Sequence, residues 1–598
     1  MTGPAFGKEA VRALATPEVF DRGLDYRRGG AVSEVIRRGD CLTAEVAGSG
    51  DVSYTVTIEL YAGGIAARRC SCPYDWGGAC KHVVAVLLKY LDAPGAAVER
   101  PSLGEMLKGL NREEVTALLM KRAEEDPSLT LWIEAELAAG ATDPTSGAMR
   151  RTAVNPEPIK RQAEALLSQN RTGRRGWYDP DRGVDEGGFE ALIDKARPFL
   201  EAGHGRNALN ILEPVMEALL PAWIEQADWD DTLHQFFPVL GQMIAEAVLM
   251  DDLDLEARDE LMGKVDVWRG MLDDYGLDDH LEVAVDALQQ GWEEIGLDEV
   301  LAGRARSWPI ASSSSWTDNR LTQARLRALD ARGRTEEFLH LSRAAGHHED
   351  HAAMLVRLGR IADGLGYARQ RFRTANEVLQ LSRLLNDVGQ IDAALEFAEW
   401  GLNLEPEGYF PGLLSLARWL RDCAAALGEG DVAVRAAASA FEHSFSIEDF
   451  EVAERLAGPE WTELRARLLA QLAAAKGARD RIKIYLREDM IDEAVGSVDL
   501  TNLIAIPSDT SLLRLAEAAY SRHPDWVIIL ADRMAADIME AGHASLYELA
   551  AKWLEKAALA YDAADRVDEW QTKINGLIEK HRRKYKLRPL LEALRSGT

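Results

Sequence analysis

The chain has 598 residues, too many for one hydrophobic core, so several domains are expected. With 47% hydrophobic and 28% charged residues the composition is ordinary and globular, neither disordered nor membrane-like. A formal net charge of −29 argues against the whole protein as an autonomous nucleic-acid binder, because an acidic surface repels phosphates unless its basic residues are segregated.

The first ten residues lack the apolar core of a leader, and no apolar run reads as long enough to span a membrane, so a cytoplasmic location is expected. Over residues 7–28, Thr16-Pro17-Glu18 is a helix start, with Thr16 as N-cap and Pro17 in the first position. Val19, Phe20, Leu24 and Tyr26 then face inward, and Gly29-Gly30 ends the helix. Three stretches of period two follow, Ala31 to Ile36, Leu42 to Val46 and Tyr54 to Leu60, separated by turn signals around Gly39 and Gly48 to Asp51. Ala62-Gly63-Gly64 turns into a fourth strand, Ile65 to Cys70. This pattern predicts an antiparallel meander.

That strand delivers the first of three cysteines, out of five, that fall within eleven residues, as Cys70-x-Cys72, seven residues, then Cys80-x-His82. Three thiolates and one imidazole fill a tetrahedral zinc site with no position left open, which implies one structural ion. A one-residue gap suits a strand end, where side chains two apart share a face. Cys80 and His82 stand where the apolar run Val83 to Leu91 reads as a helix, and a helix N-terminus favours a thiolate. Pro73 and Gly77-Gly78 supply the turn between the pairs. A disulfide is the competing arrangement, and it requires an oxidising compartment that nothing in the sequence indicates. So small a module draws folding energy from the metal, and its metal-free form is expected to be locally unfolded.

The Cys-x-Cys and Cys-x-His pairs, the strands before them and the helix after them resemble a SWIM-type zinc finger. Arg22 to Tyr26 followed by Gly30-Ala31-Val32 is similar to the lead-in of bacterial SWIM-domain proteins, and the resemblance covers about the first 95 residues. It implies Cys70, Cys72, Cys80 and His82 as zinc ligands and a domain that binds DNA or protein. In bacteria such proteins look like companions of Swi/Snf-type helicases.

Beyond Pro94-Gly95 and Pro101 the sequence predicts a helical pair, Leu107 to Glu124 and Leu129 to Ala139. A Thr-, Pro-, Gly- and Ser-rich linker from Ala141 to Pro158 comes next. Asn170 to Tyr178, with Arg171, Arg174 and Arg175, reads as a basic, aromatic hinge. From about residue 159 apolar residues recur at three- and four-residue spacing, with glycines at 203, 241, 276, 303, 333, 346, 366, 389 and 428 as punctuation. Residues 221–300 hold 22 acidic and 3 basic residues, against 12 of each in residues 1–100. Leu381 to Pro406, with Gly389, Ala394 and Ala398, resembles a tetratricopeptide unit, and 321–346 and 547–582 are looser versions. The expected fold class is therefore mainly α: a small N-terminal α+β zinc-binding domain followed by a large helical repeat or solenoid region. The expected divisions are 1–95 (zinc finger), 96–158 (connector and linker), 159–320 (acidic helical region) and 321–598 (degenerate repeats).

Arg68, Arg69, Tyr74, Trp76 and Lys81 crowd the ligands. They are the types that stack on bases or grip phosphates, or that contact a protein partner. The neutral module and Asp75 favour the other reading, an aromatic shield over the zinc with solvated charges around it. His347-His348-Glu349-Asp350-His351 has metal-like spacing but no third partner, and a polar helix cap is expected there. Cys41 and Cys423 read as free buried thiols. The basic end, Lys580 to Lys586, is suited to docking on the acidic segment or on an external anion. No phosphate-cradling loop, nucleophile elbow or catalytic carboxylate pair is found, so no enzymatic activity and no small-molecule substrate are expected. The reading is a non-enzymatic zinc-binding interaction protein, with direct DNA binding by the finger as the alternative.

Overall fold

The computed structural model describes residues 6–48, 52–61, 64–74, 78–140, 152–168, 186–225, 232–251, 253–308, 316–404, 411–478, 480–500, 510–542 and 544–596. It divides into two compact units, Met1–Gly346 and His347–Thr598.

The first unit opens with helices α1 (Lys8–Ala13) and α2 (Pro17–Arg28), and the Thr16 hydroxyl caps α2 by accepting from the Val19 amide. Strands β1 (Ile36–Arg38), β2 (Cys41–Ala47), β3 (Ser53–Tyr61) and β4 (Gly64–Cys70) form the expected meander. Helix α3 (Lys81–Asp92) packs on its inner face. Alternate residues Leu42, Ala44, Val46, Val56 and Ile58 point inward and bury against Val83 to Leu88. Gly23 lets α2 approach α3, since a Cβ there would lie 2.5 Å from Val84 Cγ1.

Two strand expectations change. The stretch Ala31 to Ile36 gives only its last residue, Ile36, to a strand; before it lies an isolated bridge from Val32 to Val46, where the Ser33 hydroxyl takes the Glu45 amide at 2.9 Å in place of a backbone partner. A fifth strand, β5 (Val98–Glu99), lies parallel to β1 within the stretch read as a boundary. Two residues are too few to show alternation. The sheet order is β4-β3-β2-β1-β5.

Helices then follow to the end. The expected helix Leu107 to Glu124 is broken into Leu103–Lys108 and Arg112–Glu125, because Asn111 and Glu114 form a reciprocal capping box that restarts the chain. The 141–151 part of the linker, the Asn170 to Tyr178 hinge, Trp76 and Pro406 lie outside the described residues. The end of the linker is packed: Val154 is buried, with its amide donating to Asn207. Contrary to the reading of no membrane-length run, Leu233–Met250 is long and apolar enough by composition. It is 72% buried inside the helical core of its own unit, around Phe237, Leu240 and Ile244. Asp251, Asp273-Asp274 and Asp278-Asp279 sit at helix ends, and Asp251 is paired with Arg206.

One turn recurs between the helices. At Gly333, Gly359, Gly389, Gly428, Asp489 and Asp565 a residue with positive φ ends one helix. The next amide (Arg334, Arg360, Gln390, Glu429, Met490, Arg566) donates at 2.8 to 2.9 Å to the carbonyl five residues back. This is the Schellman closure. Gly241 and Gly366, read as punctuation, instead lie inside helices Phe236–Met250 and Ile361–Arg371. Gly241 is there for closeness, since a Cβ would meet the His280 carbonyl at 2.3 Å. In the window that resembles a tetratricopeptide unit, Ala375–Asp387 and Ile391–Leu402 form a helical hairpin with Ala394 and Ala398 fully buried. Because the turn needs the left-handed conformation, Gly389→Ala is expected to weaken this hairpin by about 1 kcal/mol, and Asp489→Gly to strengthen its own. Hydrogen exchange of the flanking helices measures both.

Candidate metal centre

β4 carries Cys70 to the inner face of the sheet, opposite Val56 on β3. The ladder runs one residue further, with the Ser71 amide donating to the Thr55 carbonyl and the Ser71 hydroxyl accepting from the Thr55 amide. This fixes where the chain leaves the sheet for Cys72. Gly78, at φ 75°, then tucks the chain against the end of α1, where a Cβ would lie 2.8 Å from the Leu14 carbonyl. The Ala79 amide donates to that same carbonyl at 2.6 Å. Cys80 stands at the N-cap of α3, and His82 is the second residue of that helix.

The four ligand atoms all lie within 4.8 Å of one another. His82 Nδ1 is 3.7 Å from Cys70 Sγ and 3.9 Å from Cys80 Sγ. Tetrahedral zinc with ordinary bond lengths places its donors about 3.6 to 3.8 Å apart, so the cluster fits the ion with at most a small contraction. No disulfide links the cysteines; all five are free thiols. The site's own electrostatics suit a cation. The thiol of Cys70 hydrogen-bonds to Cys80, which lowers the Cys80 pKa against the effect of burial and raises that of Cys70; burial also raises Cys72. A dication bound by all three sulfurs would remove this competition for the proton.

The other residues singled out around the ligands are dispersed. Arg68 and Arg69 are exposed on β4, an edge strand, and as neighbours they point to opposite faces, Arg68 paired with Ile58 and Arg69 with Thr57. Tyr74 is half-buried against the module's core. Lys81 is engaged, its Nζ 2.7 Å from the Tyr26 hydroxyl and 4.3 Å from the ring centroid.

Elsewhere, His347 occupies the N-cap of His348–Arg357 but makes no side-chain cap, its ring facing Asp350 at 3.2 Å. His348 bonds the Tyr367 hydroxyl at 2.9 Å, and His351 is buried against the same ring. Among the described residues only the Cys3His group is arranged to hold a metal. Cys41, the first residue of β2, and Cys423, within helix Pro411–Leu427, are half-buried rather than buried. At the basic end Lys580 pairs with Glu540, Arg582 with Glu579, and Lys584 donates to the Met539 carbonyl.

Sequence reasoning missed Tyr26 and Tyr54, which enclose His82. Residues 26, 54 and 82 come from α2, β3 and α3, and no spacing rule connects them.

A Cys3His cluster at a strand end and a helix start defines a zinc-binding finger. The SWIM zinc finger family model matches residues 54–91, so the chain carries a SWIM zinc finger ahead of a large helical region. No curated protein matches the chain. Among solved structures, one described as a circular tandem repeat protein with novel repeat topology and enhanced subunit contact surfaces aligns at 17% identity. It covers 79% of this chain and 98% of that one, with a TM-score of 0.16, a likeness too low to carry an argument.

Proposed function

We propose that the protein is a cytoplasmic, non-enzymatic interaction protein in which the SWIM finger holds one structural zinc ion and docks a protein partner, with the helical units offering further surface. The observation that carries this reading is the closed donor set: four protein ligands leave zinc no position for water or substrate. The partner that the SWIM resemblance favours is a Swi/Snf-type helicase. Direct DNA binding is the second reading, supported by the exposed Arg68 and Arg69 on the edge strand.

Metal content and binding on one purified sample test both. One zinc per chain and complex formation with the purified helicase, seen by sedimentation, is the expected result. If DNA is the target, binding falls steeply with salt, and Arg68→Ala/Arg69→Ala flattens the log–log slope by up to about 2, about one phosphate contact for each cation removed. A sample with one zinc that binds neither partner at low salt ends both readings.

A further inference from the structure

His82 lies in an aromatic cage that nothing in the ligand spacing requires. Its ring stacks on Tyr54 with centroids 4.7 Å apart and planes at 28°, and meets Tyr26 in a T-shaped contact at 5.4 Å. The backbone makes room for this stack, since a Cβ at Gly48 would lie 2.5 Å from the Tyr54 ring. Tyr26 is held in turn by Lys81, the residue between the last two ligands, through its hydroxyl and its ring face. Within the cage His82 is only 3% exposed, and its two nitrogens differ. Nδ1 faces the thiols of Cys70 and Cys80, whereas Nε2 is buried with no hydrogen-bond partner.

We propose that Tyr26, Tyr54 and Lys81 are positioning residues of the metal site, holding His82 so that Nδ1 is its metal-binding atom and Nε2 keeps the proton. The inference rests on the zinc reading and assigns to the site a residue, Lys81, that otherwise looks like a phosphate contact. The physical argument is that a metal-bound imidazole carries its proton on the other nitrogen, and whatever surrounds that nitrogen fixes tautomer and ring orientation. Here Tyr54 lies over the flat face of the imidazole and Tyr26 meets it in a T-shaped contact, and together they block the ring from turning over. Nδ1 also lies nearer the backbone than Nε2, so this choice draws the N-terminus of α3 against the metal.

The test uses the full chain with ring-15N-labelled histidine, loaded with 113Cd in place of zinc. A cadmium–nitrogen coupling at Nδ1 of His82, with the proton on Nε2, is expected; a coupling at Nε2 overturns the assignment. His82→Cys identifies the signal, because it keeps four ligands while removing that imidazole. Tyr54→Leu should weaken zinc binding at least about tenfold against a chromophoric chelator and shift the absorption bands of the cobalt-loaded protein. Tyr54→Phe keeps the stack and should behave as wild type, so a mere folding defect at this position is separated from lost positioning. Tyr26→Phe, which removes only the hydroxyl that Lys81 holds, should give a smaller loss in the same direction. Unchanged affinity and bands in both Tyr54→Leu and Tyr26→Phe would overturn the role of the cage. A wild-type chain that binds no metal would instead overturn the zinc reading, a separate result.

Discussion

Removing zinc with a chelator is expected to abolish amide protection in β4 and in the chain from Ser71 to Lys81, while the helices beyond residue 186 stay protected. β4 is an edge strand whose one strand neighbour among the described residues is β3, and beyond Cys70 its far end keeps only the Ser71–Thr55 hydrogen bonds. The chain after it is held by Cys72, by the Gly78 and Ala79 contacts with Leu14, and by Cys80. Structural zinc contributes about 10 to 16 kcal/mol in small fingers, comparable with the total stability of a domain. Yet the module also has a core of its own, with Leu42, Val46, Val56, Ile58 and Val84 fully buried, so β2 and β3 should keep part of their protection. Cys72→Ser should reproduce the pattern, and acidification should too, because the ligands bind as thiolates and protons compete for them. Hydrogen exchange with and without chelator reads the outcome. Equal protection in β4 under both conditions would mean that no metal supports the strand.

The contrast between the ligands and their cage shows what this sequence could reveal. Cys70, Cys72, Cys80 and His82 were legible because zinc demands a fixed number of soft donors, and local geometry puts them two apart on a strand end and a helix start. Tyr26 and Tyr54 were not, because an aromatic wall has no required spacing and its members come from separate elements. The same division holds in the helices. Gly333, Gly389 and Gly428 could be read as turns because positive φ selects glycine. Gly241 and Gly366 carry the same letter for other reasons or for none that the structure shows, and Asp489 and Asp565 adopt the turn without it. The apolar run Leu233–Met250 shows the limit in another form: its composition alone matches a membrane span, and only its neighbours reveal a core helix. Nor could the sequence foresee that Lys81, beside Arg68 and Arg69 in any list of cations, would be tied to Tyr26.

Asp449→Asn should destabilise the second unit by about 3 to 5 kcal/mol. Asp449 is the third residue of helix Ile447–Ala457 and only 2% exposed. Its carboxylate accepts from Arg418 at 2.7 and 3.1 Å, from Arg421 at 2.9 Å and from the Ser446 hydroxyl at 3.0 Å. Both arginines lie on helix Pro411–Leu427, so the cluster ties the two helices together. Burial alone would push this carboxyl up, but Arg418 and the serine hydroxyls more than offset it and hold the group below the ordinary aspartate range. The amide would keep the shape and lose the charge, leaving Arg421, itself 11% exposed, with less to balance it. The sign with pH follows from linkage. A carboxyl depressed in the folded state contributes stability that is present above its unfolded pKa, near 3.9, and is lost as pH falls through the lower folded value. The gap between wild type and Asp449→Asn should therefore be constant from pH 7 to about 5 and shrink below about pH 4. Urea unfolding of both proteins across that range measures it. A gap under about 1 kcal/mol at pH 7, or one that persists unchanged into acid, would show that the charge on Asp449 is not what joins these helices.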